Sequence, residues 1–235
     1  MVTHGALPKA AFQVNDQGKE VLFSRGNLQY QPSTGTWRFA GHQYDFIGEQ
    51  SENISKETGW IDMFRWRTGN NLTFFSGKEE DFNSFIDWGI NEISNGGNGA
   101  NRWRTLTREE WEYLLEKGNS LKKCVSINGI NGYLLLPLNY NTPDEIDLAQ
   151  DRFSNTEWQK MEEKGAVFLP AVGQGNKYEV KGIGSFGIYW SSSPYVDDDD
   201  GGAWGLVFDC SSSSEGIIEI FGRWRPQSVR LVQDL

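Results

Sequence analysis

Alternating apolar and polar positions recur along much of the chain and predict many short strands. The alternation is clearest in EVLFSRGNLQYQ, residues 20–31, and in AWGLVFDC, residues 203–210. A period of two residues is typical of a half-buried strand. The turn sequence STG at 33–35 is followed by TWRFA, so a hairpin is predicted there. Further strands are predicted in KKCVSINGINGYLLLPL, AVFLPAVG, EGIIEIFG and SVRLVQ.

Two segments are predicted to be helices, and the first has the 3–4 spacing of one buried face. In RTLTREEWEYLLEKGN, Thr107 and Glu110 have the spacing of a capping box, and Gly118 is predicted as the left-handed residue that ends the helix. In SNTEWQKMEEKG, the N-cap is predicted at Ser154 or Thr156, and Gly165 ends the helix. Many short strands with two modest helices predict an α+β fold. Residues 20–235 are interpreted as one domain and 1–19 as an N-terminal extension or strand.

Charge and composition narrow the classes of partner. The net charge of −10 disfavours nucleic acid, because an acidic surface repels phosphate. No apolar run approaches the length of a membrane span. The ten tryptophans favour an aromatic core, and Trp88, Trp103, Trp111 and Trp190 are predicted to belong to it. Cys124 and Cys210 could form one bridge or remain reduced, and the sequence leaves both alternatives open.

The order of several short motifs resembles a known family. WRTLTREEWEYLL, GAVFLPAVG, GIYWSSS, AWGLVFD and SVRLV follow one another as in the C-type-lectin fold, in the branch shared by formylglycine-generating-enzyme-like domains and the variable proteins of diversity-generating retroelements. Gut Bacteroidetes carry many such surface proteins. The likeness covers roughly residues 20–233. It implies that the N- and C-terminal strands pair, that the protein is extracellular, on a cell surface or on a phage virion, and that C-terminal strands and loops form the ligand surface.

Four aspartates and four serines flank the alternating stretch 203–210. In the retroelement branch, adenine changes in Asn codons vary the C-terminal region and can give Asp, Ser or Gly. The resemblance therefore implies a ligand site that tolerates variation, and ordinary solvated loops are the alternative. The predicted ligand-binding residues are Asp197, Asp198, Asp199, Asp200, Gly201, Gly202, Trp204, Ser211, Ser212, Ser213, Ser214, Phe221, Arg223, Trp224 and Arg225.

Arginines flank two of the tryptophans, in FRWRTG and in GRWRPQ. A guanidinium beside an indole can grip a planar or acidic group. Alternatively, the arginines lie in water along a strand while the tryptophan packs inward. Of the two tryptophans, Trp224 is the stronger candidate for exposure, because it precedes Pro226 in a loop.

No metal or catalytic motif accompanies these residues. The adjacent aspartates could bind calcium but lack EF-hand spacing, and Trp204 is followed by Gly205 and Leu206 rather than by the Asn-Asp of calcium-dependent lectins. No cofactor is therefore predicted. Formylglycine-generating enzymes use two late cysteines with copper, whereas Cys210 is alone in the late region, so an enzyme is not predicted.

The sequence thus favours a binding protein that recognises a protein or glycan on a cell surface. Two alternatives remain: an enzyme of the formylglycine-generating type or another type on the same scaffold, and a structural pilus or virion subunit. The oligomeric state is left open.

Overall fold

The structure, a computed structural model, describes residues 5–48, 59–66, 85–97, 99–176, 179–196, 201–212 and 214–235. Strands account for 43% of residues and helices for 10%. The protein is therefore mainly β, and the predicted α+β class with a C-type-lectin-like fold is wrong. The predicted helices form, but they are short, and several two-residue strands add to the sheets.

The strands in chain order are β1 (Ala6–Gln13), β2 (Glu20–Ser24), β3 (Leu28–Gln31), β4 (Thr36–Phe39), β5 (Met63–Phe64), β6 (Arg104–Thr105), β7 (Asn119–Ile127), β8 (Ile130–Pro137), β9 (Arg152–Phe153), β10 (Val167–Pro170), β11 (Gln174–Gly175), β12 (Val180–Lys181), β13 (Phe186–Pro194), β14 (Gly202–Asp209), β15 (Ser214–Gly222), β16 (Gln227–Ser228) and β17 (Leu231–Asp234). The helices are α1 (Arg108–Glu116), α2 (Asn155–Glu162) and a short 3-10 helix at Trp88–Ile90.

Three sheets of four or five strands form the body of the described chain. Their strand orders are β1-β2-β17-β6, β10-β8-β7-β9 and β15-β14-β13-β16-β5. In the first sheet β17 pairs with β2, with Val232 opposite Phe23, so the N- and C-terminal strands do pair. The alternating stretch at 20–31 is not one strand: β2 joins this sheet, while β3 pairs with β4 as the separate hairpin.

The core lies on both faces of the five-stranded sheet. Neighbouring residues of β13 enter different apolar clusters: Tyr189 packs with Trp111 and Leu206, and Trp190 packs with Phe64 and other aromatic side chains. The tryptophans predicted as core are confirmed, because Trp88, Trp103, Trp111 and Trp190 are each at most 3% exposed. A third cluster lies between α2 and the sheet that contains β8.

Both helices begin as the capping pattern predicts, and they end differently. Thr107 caps α1 and Ser154 caps α2, each with a complete capping box. Gly165, with φ of 100°, follows α2 as expected. Gly118 does not have the predicted left-handed conformation. A Cβ there would lie 2.4 Å from the carbonyl oxygen of Gln13, so close approach to β1, rather than helix termination, requires this glycine.

The two cysteines form a disulfide. Cys124 of β7 and Cys210 after β14 have Cα atoms 5.3 Å apart and are separated by 86 residues in sequence. The bond joins two sheets that share no strand. It also decides between the alternatives that the sequence left open, since Cys210 holds no free thiol.

A buried arginine ties the C-terminal segment to the rest of the body. Arg230 is fully buried, and it donates to Asn27 Oδ1 at 3.3 Å and to Gln43 Oε1 at 2.5 Å. Gln43 also donates to Glu162 Oε1 at 2.9 Å. Burial lowers the pKa of Arg230 to about 10, and Tyr189 and Glu162 counteract part of that effect. The guanidinium therefore remains charged at neutral pH.

Among the described residues, no helix is long and apolar enough to cross a membrane.

Reduction of the disulfide is expected to destabilise the fold, because the bond closes a loop of 86 residues. The expected loss in unfolding free energy is roughly 2–5 kcal/mol. Thermal unfolding of the wild type with and without a reductant measures it as a fall in Tm. The double variant Cys124→Ala/Cys210→Ala is the control, and its Tm should not respond to the reductant. An equal Tm for oxidised and reduced wild type would contradict the expectation.

Glu110 is expected to make folding stability depend on pH. Burial by itself raises its pKa, but hydrogen bonds from Arg104 and from the Thr107 N–H bring the pKa below its ordinary value of 4.5. The stability that Glu110 contributes is therefore present above the unfolded pKa and is lost as the pH falls through the lower folded pKa.

Urea unfolding at neutral pH and at roughly pH 3 measures this dependence. Glu110→Gln should cost roughly 1–3 kcal/mol at neutral pH and reduce the acid-induced loss. Glu109→Gln, on the exposed side of the same first turn, is the matched control. Equal pH profiles for Glu110→Gln and wild type would contradict the assignment.

Candidate binding surface

The two polar runs that flank β14 lie at opposite ends of that strand. The connection that contains the aspartates precedes Gly202, and the connection that contains the serines follows Asp209. Eight residues in a strand span about 25 Å. The described residues of the two connections, Gly201 on one side and Ser211 and Ser212 on the other, therefore do not form one surface. Asp197, Asp198, Asp199, Asp200 and Ser213, as well as the side chain of Ser214, lie outside what the structure describes.

Strand pairing brings Gly201, Gly202 and Trp204 together with residues 221–225 at the first end of β14. Gly202 is opposite Gly222, and Ala203 is opposite Phe221. The connection from β13 to β14 therefore lies beside the connection from β15 to β16. The sequence could not show this adjacency, because it depends on the antiparallel register of β14 and β15.

This end of the sheet carries several accessible apolar side chains, which we call the aromatic end. Its members are Tyr195, Val196, Trp204, Ile220 and Trp224. Trp224 is 48% exposed, Ile220 42% and Val196 83%. The Tyr195 and Trp204 rings meet edge to face, with centroids 5.6 Å apart. The predicted exposure of Trp224 is confirmed.

The buried side chain of Arg223 bonds the backbone beneath the aromatic end. It is only 9% exposed, its Nε donates to the Gly202 carbonyl at 2.7 Å, and its Nη2 donates to the Tyr195 carbonyl at 3.2 Å. Its guanidinium lies 4.7 Å from the centre of the Trp66 ring. Arg223 therefore links the two connections, with two of its donors bonded to carbonyls of the protein, and its contact with a ligand stays a prediction.

Phe221 is also partly withdrawn from solvent. It is half-buried and packs against the cluster that contains Trp190, with ring centroids 6.3 Å apart. Gly201 is exposed, whereas Gly202 is buried against Ile220 and Tyr195. Of the residues predicted at this end, Gly201, Trp204, Trp224 and Arg225 thus retain accessible surface.

Two arginines lie over the tryptophans of the aromatic end. The Arg108 guanidinium is 3.8 Å from the Trp204 ring centre, and the Arg225 guanidinium is 5.0 Å from that of Trp224. Arg108 also bonds Glu112 at 2.6 Å, and Arg225 bonds Gln174 at 2.8 Å. Arg108 was not predicted as a site residue. The helix cap places it, and the packing of α1 brings it to a strand almost a hundred residues away.

The serine end of β14 has a different character. Both the N–H and the hydroxyl of Ser211 donate to Asp209 Oδ1, at 2.8 and 2.6 Å. These bonds, with Ser212, hold the pKa of Asp209 below its ordinary value. The turn adjoins the disulfide and the Lys122–Glu215 ion pair at 3.1 Å. In its described part, this end is a hydrogen-bonded polar turn next to a covalent link, and Ser211 and Ser212 lie away from the aromatic end.

Neither a metal centre nor an activated thiol is present in the described part of the chain. No group of three or more His, Cys, Asp or Glu side chains could hold an ion there. Cys210, on which the enzyme alternative rested, is bonded to Cys124. The arrangement at the aromatic end is suited to noncovalent binding, with flat apolar rings, fixed guanidinium groups and open backbone at Gly201.

Comparisons with known proteins identify no relative: no family model matches the chain, and neither a curated protein nor a solved structure is significantly similar to it.

Proposed function

We propose that this is a ligand-binding protein that recognises a protein or a glycan on a cell surface through the aromatic end. The observation that carries the proposal is the grouping of half-exposed Trp224 with Trp204, Tyr195 and Ile220 at one end of a sheet. Tryptophan, tyrosine and arginine are the residue types that dominate binding energy in interfaces. Clustered exposed apolar side chains are also typical of interaction sites.

The rigidity of the surface supports the same function. Trp204 is held between Arg108 and Tyr195, and the backbone at Gly202 and Tyr195 is fixed by Arg223. A surface that is ordered before binding loses less conformational entropy on association. The half-exposed indole of Trp224 then supplies apolar area to a partner, and the arginines supply charged edges that pair with carboxylates or carbonyls.

The location and the resemblance fit this proposal. A disulfide favours an oxidising compartment, so we propose an extracellular protein on a cell surface or a virion. In the retroelement variable proteins that the sequence resembles, the ligand surface lies in the C-terminal region, which is where the aromatic end is found. The enzyme and structural-subunit alternatives have no comparable observation in their favour.

Truncation of Trp224 should abolish most of the binding. The probes are an array of neutral cell-surface glycans and a set of purified extracellular host and bacterial surface proteins, screened with the wild-type chain. For each bound probe, Trp224→Ala should weaken Kd by roughly thirtyfold, as for a central aromatic anchor. Biolayer interferometry measures Kd, and thermal unfolding verifies that the variant is folded.

Ile217→Ala is the matched control. Ile217 is 50% exposed on β15 but lies towards the serine end, opposite Val207. Its truncation should change Kd by less than about twofold. The proposal would be contradicted if no probe bound, if Trp224→Ala bound as well as wild type, or if Ile217→Ala lost as much affinity as Trp224→Ala.

A further inference from the structure

A concave site lies away from the aromatic end. A cavity of about 650 Å³ that is open to solvent is lined by the β3–β4 hairpin, residues 41–47 and the turn between β7 and β8. None of the residues that form the aromatic end lines it. Its volume lies in the range of small-molecule sites.

One wall of the cavity presents a fixed guanidinium. Arg38 donates from Nε to Gln29 Oε1 at 2.9 Å, and its Cζ lies 3.5 Å from the centre of the Trp60 ring. Neither terminal amino group of Arg38 has a hydrogen-bond partner among the described residues. Partial burial lowers the pKa of Arg38 and Asp45 raises it, and the group remains charged at neutral pH. A planar fork of donors held in this way matches the geometry of a carboxylate.

Further polar groups line the same cavity. No described residue accepts from the side-chain Nε2 of Gln29. Asp45 uses one oxygen for both the His42 N–H and the His42 ring Nδ1, at 2.8 and 3.0 Å, which leaves Oδ1 without a described partner. The side-chain amide of Asn128 has no described partner either, whereas its backbone N–H donates to the Phe153 carbonyl. These side-chain atoms reach solvent, and they are therefore open to hydrogen bonds with a ligand.

An apolar wall completes the cavity. Phe46, Ile47 and Ile130 line it alongside the polar groups. Such an apolar wall can pack against the C–H face of a sugar ring. A carboxylate acceptor and amide donors can form hydrogen bonds with the sugar hydroxyls. A phosphate dianion is disfavoured relative to a carboxylate, because its second negative charge adds to the repulsion from the Asp45 carboxylate.

We propose that this cavity binds a carboxylated sugar, whose carboxylate pairs with Arg38 and whose hydroxyls bond Asp45, Gln29 and Asn128. The proposal is independent of the aromatic end and adds a small-molecule site to the protein. It predicts preference for an acidic sugar over the neutral sugar of the same ring, since only the acidic one uses the guanidinium fork.

The probes are D-glucuronate, D-galacturonate and N-acetylneuraminate, with D-glucose and D-galactose as the neutral counterparts of the first two. Saturation-transfer NMR and calorimetry on the full chain measure binding. At least one acidic sugar should bind, and the neutral sugars should bind at least about tenfold more weakly. Arg38→Gln and Arg38→Lys should both lose at least about tenfold, because lysine keeps the charge but not the fork.

Arg102→Gln is the control, since Arg102 is an exposed arginine that lines neither the cavity nor the aromatic end and donates to the Gly97 carbonyl. It should leave the acidic sugar bound. Thermal unfolding verifies that each variant is folded. The inference is overturned if none of the acidic sugars binds, if neutral and acidic sugars bind equally, or if Arg38→Lys binds as wild type does. Loss in Trp224→Ala but not in Arg38→Gln would place sugar binding at the aromatic end instead.

Discussion

Two buried indole groups hold the structure on which the proposed binding surface depends. Trp190 donates to the Phe64 carbonyl at 2.7 Å, and Trp66 donates to the Ser191 carbonyl at 2.8 Å. One indole of β13 thus donates to the segment at β5, and one indole of that segment donates back to β13. Both indoles are at most 1% exposed, so each N–H would be costly to bury without these acceptors. The Trp66 ring also packs against the Arg223 guanidinium, and Arg223 bonds the connections at the aromatic end. The indole hydrogen bonds therefore help to position these connections.

Strand β13 contributes to the core on both faces of its sheet. Tyr189 belongs to one apolar cluster and Trp190 to the other. Arg230 reaches amide oxygens of Asn27 and Gln43 rather than a carboxylate, and so links distant segments through a buried charge. Removal of either amide oxygen would leave that charge poorly solvated, which makes the centre intolerant of change.

The candidate surface was only partly predictable from the sequence. Exposure of Trp224 followed from its position before Pro226 in a loop. The sequence predicts ligand contact for both Arg223 and Arg225. In the structure, Arg223 donates to the Gly202 and Tyr195 carbonyls, which only the folded connections bring near it. Arg108 was missed because its contact with Trp204 depends on how α1 packs against β14. The resemblance to retroelement variable proteins assigns the serine run to the same surface, although the length of β14 separates Ser211 and Ser212 from the aromatic end.

By itself, the sequence determined the local features of this protein. The capping boxes of α1 and α2 formed, the hairpin closed at residues 33–35, and the large indoles went to the core, because each of these depends on neighbouring residues or on the bulk and apolarity of one side chain. Tertiary structure decided the balance of strand over helix, the pairing of Cys124 with Cys210, the separation of the two polar runs and the cavity at Arg38. These depend on strand register and on contacts across many residues, and register follows from the simultaneous packing of all the sheets rather than from any one segment.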